Sequence, residues 1–279
     1  MCDMNESRFS VAMSVYKNDN SQHFARSLQS ITEDQTLMPD EIVLVVDGPV
    51  GEKINEVIAD YSNKHPVFNV VRLEKNGGLG NALRIAVENC KYELIARMDS
   101  DDVAIPTRFE DQIRFMSEND VDIVGGHICE FVEEEGNFVS RREVPLTDKD
   151  IKADMKGRCA FNHMTVMFRK SAVQAVGGYL DWHYNEDYYL WLRMMLAGCC
   201  FANIDSVLVN VRVGSEMYQR RGGRKYFNSE AKLQKFMWKN KIITFPKYAV
   251  NVTKRFIVQV LLPNKLRGWV FKKFARKTV

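Results

Sequence analysis

The hydrophobic and polar positions of this 279-residue chain change period several times within the first hundred residues. Short uninterrupted apolar runs alternate with longer stretches in which apolar side chains recur every three or four residues. The first pattern predicts buried strands and the second predicts amphipathic helices. The predicted strands are 9–15, 41–46, 68–73 and 94–98, and the predicted helices are 21–32, 52–61 and 81–89. This alternation favours an α/β fold with a parallel sheet covered on both faces.

Polar groups follow each of these predicted strands. In parallel sheets of this kind, ligands bind beyond the carboxyl ends of the strands. The groups found there are Ser14 to Tyr16, Asp47, Asn76 to Gly80, and Asp99 with Asp101. One strand that ends in aspartate carries little information, whereas four polar loops at one edge of a sheet indicate a binding site.

The turn after the fourth strand carries carboxylates at Asp99, Asp101 and Asp102. Each close pair would repel by about 4 kcal/mol at roughly 4 Å and an effective dielectric of about 20. A divalent cation would reverse the sign of this interaction, and oxygen ligands at this spacing suit Mg²⁺ or Mn²⁺ bridging to phosphate. Considered alone, such a turn is more often a solvated acidic loop that caps the helix starting near Thr107.

The glycine turn at 77–82 does not match either common nucleotide-binding motif. It leaves the dinucleotide pattern G-x-G-x-x-G incomplete and follows the third strand, and the chain contains no G-x-x-x-x-G-K-[ST]. The sequence therefore favours a diphosphate held by a metal on aspartates over one cradled by a glycine loop.

The composition indicates a cellular compartment and shows that charge is unevenly distributed along the chain. The chain is 46% hydrophobic, which allows one substantial core with an appendage or two small domains. Its 6 cysteines form no C-x-x-C pair, no apolar signal segment opens it, and the apolar run 256–262 is too short to span a bilayer, so we expect a cytoplasmic protein. Residues 231–279 carry 13 Lys/Arg and no Asp/Glu, which leaves 26 basic against 36 acidic residues in the first 230.

The order of the segments SVY, VVDGP, NGGLGNALR and ARMDSDDVAIPTRF resembles the nucleotide-binding half of the inverting family 2 glycosyltransferases. The likeness covers about residues 8–215 and is strongest to bacterial enzymes of capsule, exopolysaccharide or O-antigen synthesis, such as those of the amylovoran type. It implies the GT-A fold, a Rossmann-like three-layer α/β arrangement with a mainly parallel central sheet. The implied domain spans 1–215, with a nucleotide-sugar half at about 8–106 and an acceptor half at 107–215, and a helical basic extension occupies 216–279.

The resemblance also implies an activity. It is transfer of a hexosyl or N-acetylhexosaminyl group from a nucleotide sugar, expected to be UDP-linked, to a lipid-linked oligosaccharide, with Mn²⁺ or Mg²⁺ as cofactor. The Q-x-x-R-W signature of processive relatives is absent, because Gln219 is followed by RRGG, which favours addition of a single sugar. Two alternatives remain open, a sugar nucleotidyltransferase and a non-catalytic nucleotide-sugar binding module. The first needs a glycine- and arginine-rich loop after the first strand, which SVYKNDN is not.

Individual residues acquire donor-side roles from this resemblance. Positions that hold the base and ribose of the nucleotide sugar are matched by Ser14, Val15, Tyr16 and Asp47, and those near the nucleotide by Gly80 and Arg84. Asp99 and Asp101 match the D-x-D pair, with Asp101 the direct metal ligand and Asp99 nearer the ribose and metal. Asp102 either supports that pair or caps the following helix.

On the acceptor side, the segment NEDYYLWLR resembles the family's ED motif, in which the aspartate is the general base. We therefore expect Asp187 to take the proton of the acceptor hydroxyl, with Glu186 as a supporting contact. Without that context, the helix dipole alone explains an acidic residue at a helix start. His163 matches an acceptor-side histidine of the family. A lone histidine is more often structural, and no second ligand at metal spacing accompanies it.

The basic extension suggests a membrane partner. In 263–279, apolar and aromatic side chains alternate with cations, a composition typical of an interfacial anchor in which each Lys or Arg contributes about 1 kcal/mol. An ordinary helix packed on the acidic body explains it as well, and no motif supports nucleic acid. We expect peripheral association with the inner face of the cytoplasmic membrane. Arg220 and Arg221 either close over the donor or belong to a solvated loop.

Overall fold

The computed structural model describes residues 8–182, 184–214 and 222–263. In chain order the elements are β1 (Phe9–Val15), α1 (Ser21–Ile31), β2 (Glu41–Val46), α2 (Glu52–Lys64), β3 (Phe68–Arg72), α3 (Leu79–Asn89), β4 (Leu94–Met98), β5 (Val103–Ala104), α4 (Arg108–Glu118), β6 (Ile123–Phe131), β7 (Phe138–Arg142), α5 (Asp148–Asp154), β8 (Met167–Arg169), α6 (Lys170–Ala175), α7 (Glu186–Leu196), β9 (Phe201–Arg212), α8 (Arg224–Lys239) and α9 (Phe245–Phe256). A 3₁₀ turn, His163–Thr165, precedes β8, and a π-helical turn, Ile257–Leu261, continues α9.

The strands form one sheet with the order β3-β2-β1-β4-β8-β6-β9-β5, and β7 pairs with β6. The first four strands along the chain are mutually parallel, as the sequence predicts. Beyond β4 the sheet is mixed, because β8 runs antiparallel to both of its neighbours while β6 and β9 are parallel to each other. The predicted α/β class is confirmed.

Alternate residues of the central strands enter two apolar cores on opposite faces of the sheet. Val11 of β1 packs in one core with Phe24 of α1, whereas its neighbour Ala12 packs in the other with Leu83 of α3. Since successive strand residues point to opposite faces, an uninterrupted apolar run is what a sheet covered on both faces requires. The three-layer arrangement thus follows directly from the local pattern.

Strand register brings the predicted polar loops to one edge. Val15 at the end of β1 lies beside Val46 at the end of β2, and Val46 lies beside Arg72 at the end of β3. Met98 at the end of β4 pairs with Met13 of β1. The loops that follow these four strands therefore meet at the carboxyl edge of the parallel half.

Several elements differ from the sequence-based expectation. Strand β5 was missed because it has only two residues; it pairs with β9. The 12-residue strand β9 and the short strand β8, which follows the 3₁₀ turn, lie beyond the four strands that the alternation of patterns predicts. The expected helical character of the extension is found in α8 and α9. Arg220, Arg221 and the 264–279 part of the basic tail lie outside the described residues, and the boundary at 215 stays a prediction.

Within the described ranges, no helix combines the length and apolar character needed to cross a membrane.

Candidate active site

The carboxylate of Asp47 fastens the glycine turn after β3 to the end of β2. Asp47 is 4% exposed; its Oδ1 accepts a hydrogen bond from the Gly77 amide at 2.7 Å, and its Oδ2 accepts one from the Gly78 amide at 3.0 Å. The Asn76 side chain donates to Oδ2 at 2.9 Å. Gly48 has φ +83°, and a Cβ there would come within 2.6 Å of the Asn76 nitrogen. Asp47 thus shapes the rim of the site, and its contact with a base or ribose stays a prediction.

The loop after β1 is tied to the aspartate turn through Asp19, which sequence analysis did not single out. Its Oδ2 accepts hydrogen bonds from the Tyr16 amide at 3.0 Å and from the Ser100 hydroxyl at 2.8 Å. Ser14 and Tyr16 are half-buried at this rim, whereas Val15 is 1% exposed and belongs to the core. Tyr16 thus lies at the rim, where its contact with a base or ribose stays a prediction, whereas the side chain of Val15 is enclosed in the core.

Asp99 is held by a buried arginine of the preceding strand. Arg97, 2% exposed, donates from Nη1 to Asp99 Oδ2 at 2.6 Å and from Nη2 to Oδ1, a bidentate pair. Burial works to lower the pKa of Arg97, but the Asp99 carboxylate beside it outweighs burial and the pKa is raised. Ser27 of α1 donates its hydroxyl to the Asp99 carbonyl at 2.7 Å. The first aspartate of the turn is therefore fixed in place and already neutralised.

Asp101 and Asp102 have opposite surroundings. Asp101 has an exposed side chain at the rim, yet neighbouring protein atoms and the carboxylates of Asp99 and Asp19 raise its pKa to about 6. Asp102 is 2% exposed, and its Oδ1 accepts the amide of Arg212 in β9 at 3.0 Å. Burial, Asp101 and Asp99 raise the pKa of Asp102 well above its ordinary value.

Asp102 therefore joins the turn to β9, and the expected alternative of a helix cap is wrong. The N-cap of α4 is Thr107, which makes no side-chain capping hydrogen bond.

The rim suits a divalent cation only in part. Burial, and then repulsion from the carboxylates of Asp99 and Asp19, raises the pKa of Asp101, and a bound cation would relieve that repulsion. Yet in the described part of the chain no group of three or more His, Cys, Asp or Glu side chains is arranged to hold a metal. Asp101 and Asp99 could therefore hold such an ion only if further oxygen ligands came from a bound molecule.

A second carboxylate pair opens α7. Glu186 and Asp187 follow the N-cap Asn185, and backbone amides at the helix start donate to both side chains. Burial and the adjacent Asp187 raise the pKa of Glu186 to about 7, and burial also raises the pKa of Asp187. Arg97 acts electrostatically on both, so the pair lies close to the Asp99 pair. The thiol of Cys159 donates a weak hydrogen bond from Sγ to Asp187 Oδ2 at 4.0 Å.

Gly80 brings the donor-side turn against this pair. A Cβ at Gly80 would lie 3.3 Å from Cβ of Glu186, so the starts of α3 and α7 abut and only glycine fits without displacement. Arg84, one turn further along α3, donates to Glu88 at 2.7 Å and to Asn81 at 3.0 Å. Its guanidinium is thus paired within its own helix, and its predicted role near the nucleotide requires it to leave Glu88.

His163 lies among aromatic side chains next to Arg97. Its Nε2 is 2.8 Å from the hydroxyl of Tyr179, and its ring makes an edge contact with Trp191. Burial, and then Arg97, lowers the pKa of His163 well below its ordinary value, so the ring is neutral. Its contacts are thus aromatic, and its acceptor-side role stays a prediction.

The C-terminal helices support the segment that carries Glu186 and Asp187. Ser229 of α8 accepts a hydrogen bond from Asn185 Nδ2 at its hydroxyl, 3.1 Å, and one from Trp182 Nε1 at its carbonyl, 3.4 Å. No local pattern indicates these contacts, because Ser229 lies 44 residues from Asn185 and 47 from Trp182.

Two solved structures superpose well with this one. TarS of S. aureus in complex with UDP-GlcNAc superposes with a TM-score of 0.65 at 18% identity, covering 90% of this chain and 72% of that one. The mannosyltransferase PcManGT of Pyrobaculum calidifontis, in complex with GDP-Man and Mn²⁺, superposes with a TM-score of 0.62 at 14% identity, covering 95% and 73%. At such identities the likeness establishes the GT-A fold.

Sequence relatives establish the family. The model of glycosyl transferase family 2 matches residues 10–177, and that of glycosyl transferase family group 2 matches 94–270. The UDP-Gal:alpha-D-GlcNAc-diphosphoundecaprenol beta-1,3-galactosyltransferase of Escherichia coli is 37% identical, covering 97% of both chains. The amylovoran biosynthesis glycosyltransferase AmsE of Erwinia amylovora is 39% identical, covering 95% of this chain and 98% of its own. This chain therefore belongs to glycosyl transferase family 2 and is a glycosyltransferase.

Proposed function

We propose that this glycosyltransferase moves one sugar, with inversion, from a UDP-sugar to a lipid-linked saccharide during synthesis of a bacterial surface polysaccharide. The relative of Escherichia coli is named for a UDP-sugar donor and a diphosphoundecaprenol-linked acceptor, and it matches this chain over almost its full length. The amylovoran relative supports the same pathway class.

One observation carries the proposal. The buried Arg97 is hydrogen-bonded to Asp99 and acts electrostatically on Asp101 and on a second carboxylate pair, Glu186 with Asp187, which packs against the glycine turn at Gly80. Inverting transfer needs one site that stabilises the departing diphosphate and a carboxylate that deprotonates the acceptor hydroxyl on the opposite face of the sugar. The two pairs supply these functions separately.

On the donor side, Asp101 and Asp99 would hold Mn²⁺ or Mg²⁺. When bound, such an ion neutralises the negative charge that builds on the diphosphate as it leaves. Ser14, Tyr16 and Asp47 border the base and ribose.

On the acceptor side, Asp187 takes the proton of the attacking hydroxyl. The hydroxyl oxygen then forms the new bond to the anomeric carbon while the bond from that carbon to the diphosphate oxygen breaks. Glu186, whose pKa is raised to about 7, is ionised only in part at neutral pH, and its negative charge next to Asp187 raises the basicity of that carboxylate. His163 contacts the acceptor.

A lipid-linked acceptor presents its sugar at the membrane surface, so the enzyme must act there. We place the protein in the cytoplasm, peripherally bound to the inner face of the cytoplasmic membrane through the basic extension 216–279.

The test combines a panel of UDP-sugars with GlcNAc-diphosphoundecaprenol, the acceptor named for the Escherichia coli relative. Transfer should require Mn²⁺ or Mg²⁺, and NMR of the product should show an anomeric configuration inverted relative to the donor. Retention of the donor configuration, or equal rates with excess chelator, would contradict the proposal. A thermal-shift series with the same donors, with and without Mn²⁺, identifies the sugar.

A further inference from the structure

The last helical stretch of the described chain has its polar side turned inward. Asn251 and Gln259 are 6% and 5% exposed, and Arg255 between them has a side chain only 15% exposed. Spaced four residues apart, these three form one stripe along α9 and its π-helical continuation. Val250, Ile257 and Leu261, by contrast, are 48%, 45% and 61% exposed. The usual amphipathic arrangement is reversed.

Hydrogen bonds to the body explain why the polar stripe faces inward. Asn251 donates to the Lys156 carbonyl at 3.0 Å and to Gln234 at 2.8 Å. Arg255 forms an ion pair with the buried Glu230 and donates to the Gly157 carbonyl at 2.7 Å. A charged, buried network of this kind fixes the rotation of the helix about its axis, since turning the helix would leave these groups unpaired. The apolar side chains are consequently held outward.

The outward side combines aliphatic and cationic positions. We define the α9 face by its residues Lys247, Val250, Lys254, Ile257 and Leu261, which recur every three or four positions. At its amino-terminal end, Trp238 packs against Phe245 with ring centroids 5.4 Å apart. A recess of about 490 Å³ opens there, lined by both aromatic rings and by Lys156 and Lys241 among others.

We propose that the α9 face docks onto the surface of an anionic phospholipid bilayer. Aliphatic side chains on a helix flanked by lysines suit the boundary between headgroups and acyl chains, and aromatic residues favour the same depth. Charge complementarity identifies the occupant, because residues 231–279 carry 13 Lys/Arg and no Asp/Glu. Each cation near an anionic leaflet strengthens binding.

The inner side of the same helix connects to the candidate base. Arg255 binds Glu230, whose neighbour Ser229 holds Asn185, the residue directly before Glu186. A bilayer docked on the α9 face therefore lies across this helix from the contacts that lead to the start of α7. This last step rests on the proposed function, since it relates the membrane to a lipid-linked acceptor.

The test is sedimentation of the full chain with vesicles of phosphatidylcholine containing phosphatidylglycerol. Ile257→Asp with Leu261→Asp should lower partitioning at least about tenfold, because two apolar side chains no longer enter the interface. The matched control is Met38→Asp with Val139→Asp, two side chains 44% and 47% exposed elsewhere, and should bind as the unchanged protein does. Lys247→Glu with Lys254→Glu should weaken binding to these vesicles more than to pure phosphatidylcholine.

Three results would overturn the inference: no sedimentation of the unchanged protein, equal sedimentation of Ile257→Asp with Leu261→Asp, or a change only in its oligomeric mass. The second would assign binding to another segment such as 264–279, and the third would make the face an interface between copies. Thermal unfolding and UDP titration of each variant in solution keep misfolding and failure of the donor site distinguishable from loss of docking.

Discussion

The two carboxylate pairs of the site have the same chemical groups and contrasting surroundings. Asp99 shares both of its oxygens with the buried Arg97, and Asp101 beside it is exposed at the rim. Glu186 and Asp187 are instead half-buried at a helix start, where backbone amides are their hydrogen-bond donors. In the first pair, the Arg97 guanidinium holds Asp99 in place and Asp101 is open to a ligand. The second pair is largely shielded from solvent.

These contrasting surroundings allow one fold to separate two functions, orientation of a ligand and acceptance of a proton. A carboxylate already neutralised and fixed can orient a charged ligand without changing protonation, while burial raises the pKa of Asp187 and so makes that carboxylate a stronger base.

Asp187→Asn should have the largest effect. An amide cannot accept the acceptor proton, so we expect the transfer rate to fall roughly 10³-fold. The rate is measured with saturating donor and acceptor. Asp181→Asn, an exposed carboxylate in the preceding loop, is the matched control and should stay within about twofold of the unchanged enzyme. A rate near normal for Asp187→Asn would remove it as the base.

Arg97→Met should be the most destabilising change. It leaves Asp99 without its partner and should lower the free energy of unfolding by about 3 kcal/mol in urea titrations. Adding Asp99→Asn to Arg97→Met should restore part of this loss, because no unpaired charge remains. Equal stability of the single variant would show that the pair is not what holds the turn.

Glu186→Gln should alter the pH dependence. Transfer by the unchanged enzyme should decline below about pH 7 as Glu186 takes up a proton, and the variant should shift this acidic limb downward by about one pH unit because Asp187 loses a negative neighbour. The folded pKa lies above the ordinary value of 4.5, so ionisation of Glu186 destabilises the fold as pH rises through about 7. The variant should accordingly melt higher at pH 8 and equally near pH 4.5. Unshifted profiles would contradict the coupling.

Ser229→Ala should have the smallest effect. Loss of the hydrogen bond to Asn185 loosens the start of α7, and we expect kcat to fall about threefold while KM for the UDP-sugar is unchanged. Ser117→Ala, exposed at the end of α4, is the control. A change in donor KM alone would place the effect on the other carboxylate pair.

Local patterns predicted the parallel half of the fold and the meeting of its four loops. The reason is that the hydrophobic pattern of each strand and helix, and their order along the chain, can be read from neighbouring residues. Arg97 was missed although a signal existed. It is the one charged residue in the apolar run 94–98 and points to the same face as Asp99 two positions later. This pattern predicts the ion pair between Arg97 and Asp99.

Other features had no local signal. Asp19 and Ser100 are 81 residues apart, and only the register of β1 beside β4 brings them together. Likewise, the reversed polarity of α9 depends on Glu230 and Gly157, which lie far away in sequence. Such contacts are products of tertiary packing.

If the two carboxylate pairs have separate functions, calorimetric titration of UDP with and without Mn²⁺ should distinguish variants of one pair from variants of the other. The unchanged enzyme and Asp187→Asn should both bind UDP more tightly when Mn²⁺ is present, and Asp101→Asn should lose that gain. A gain retained by Asp101→Asn, or lost by Asp187→Asn, would contradict the account.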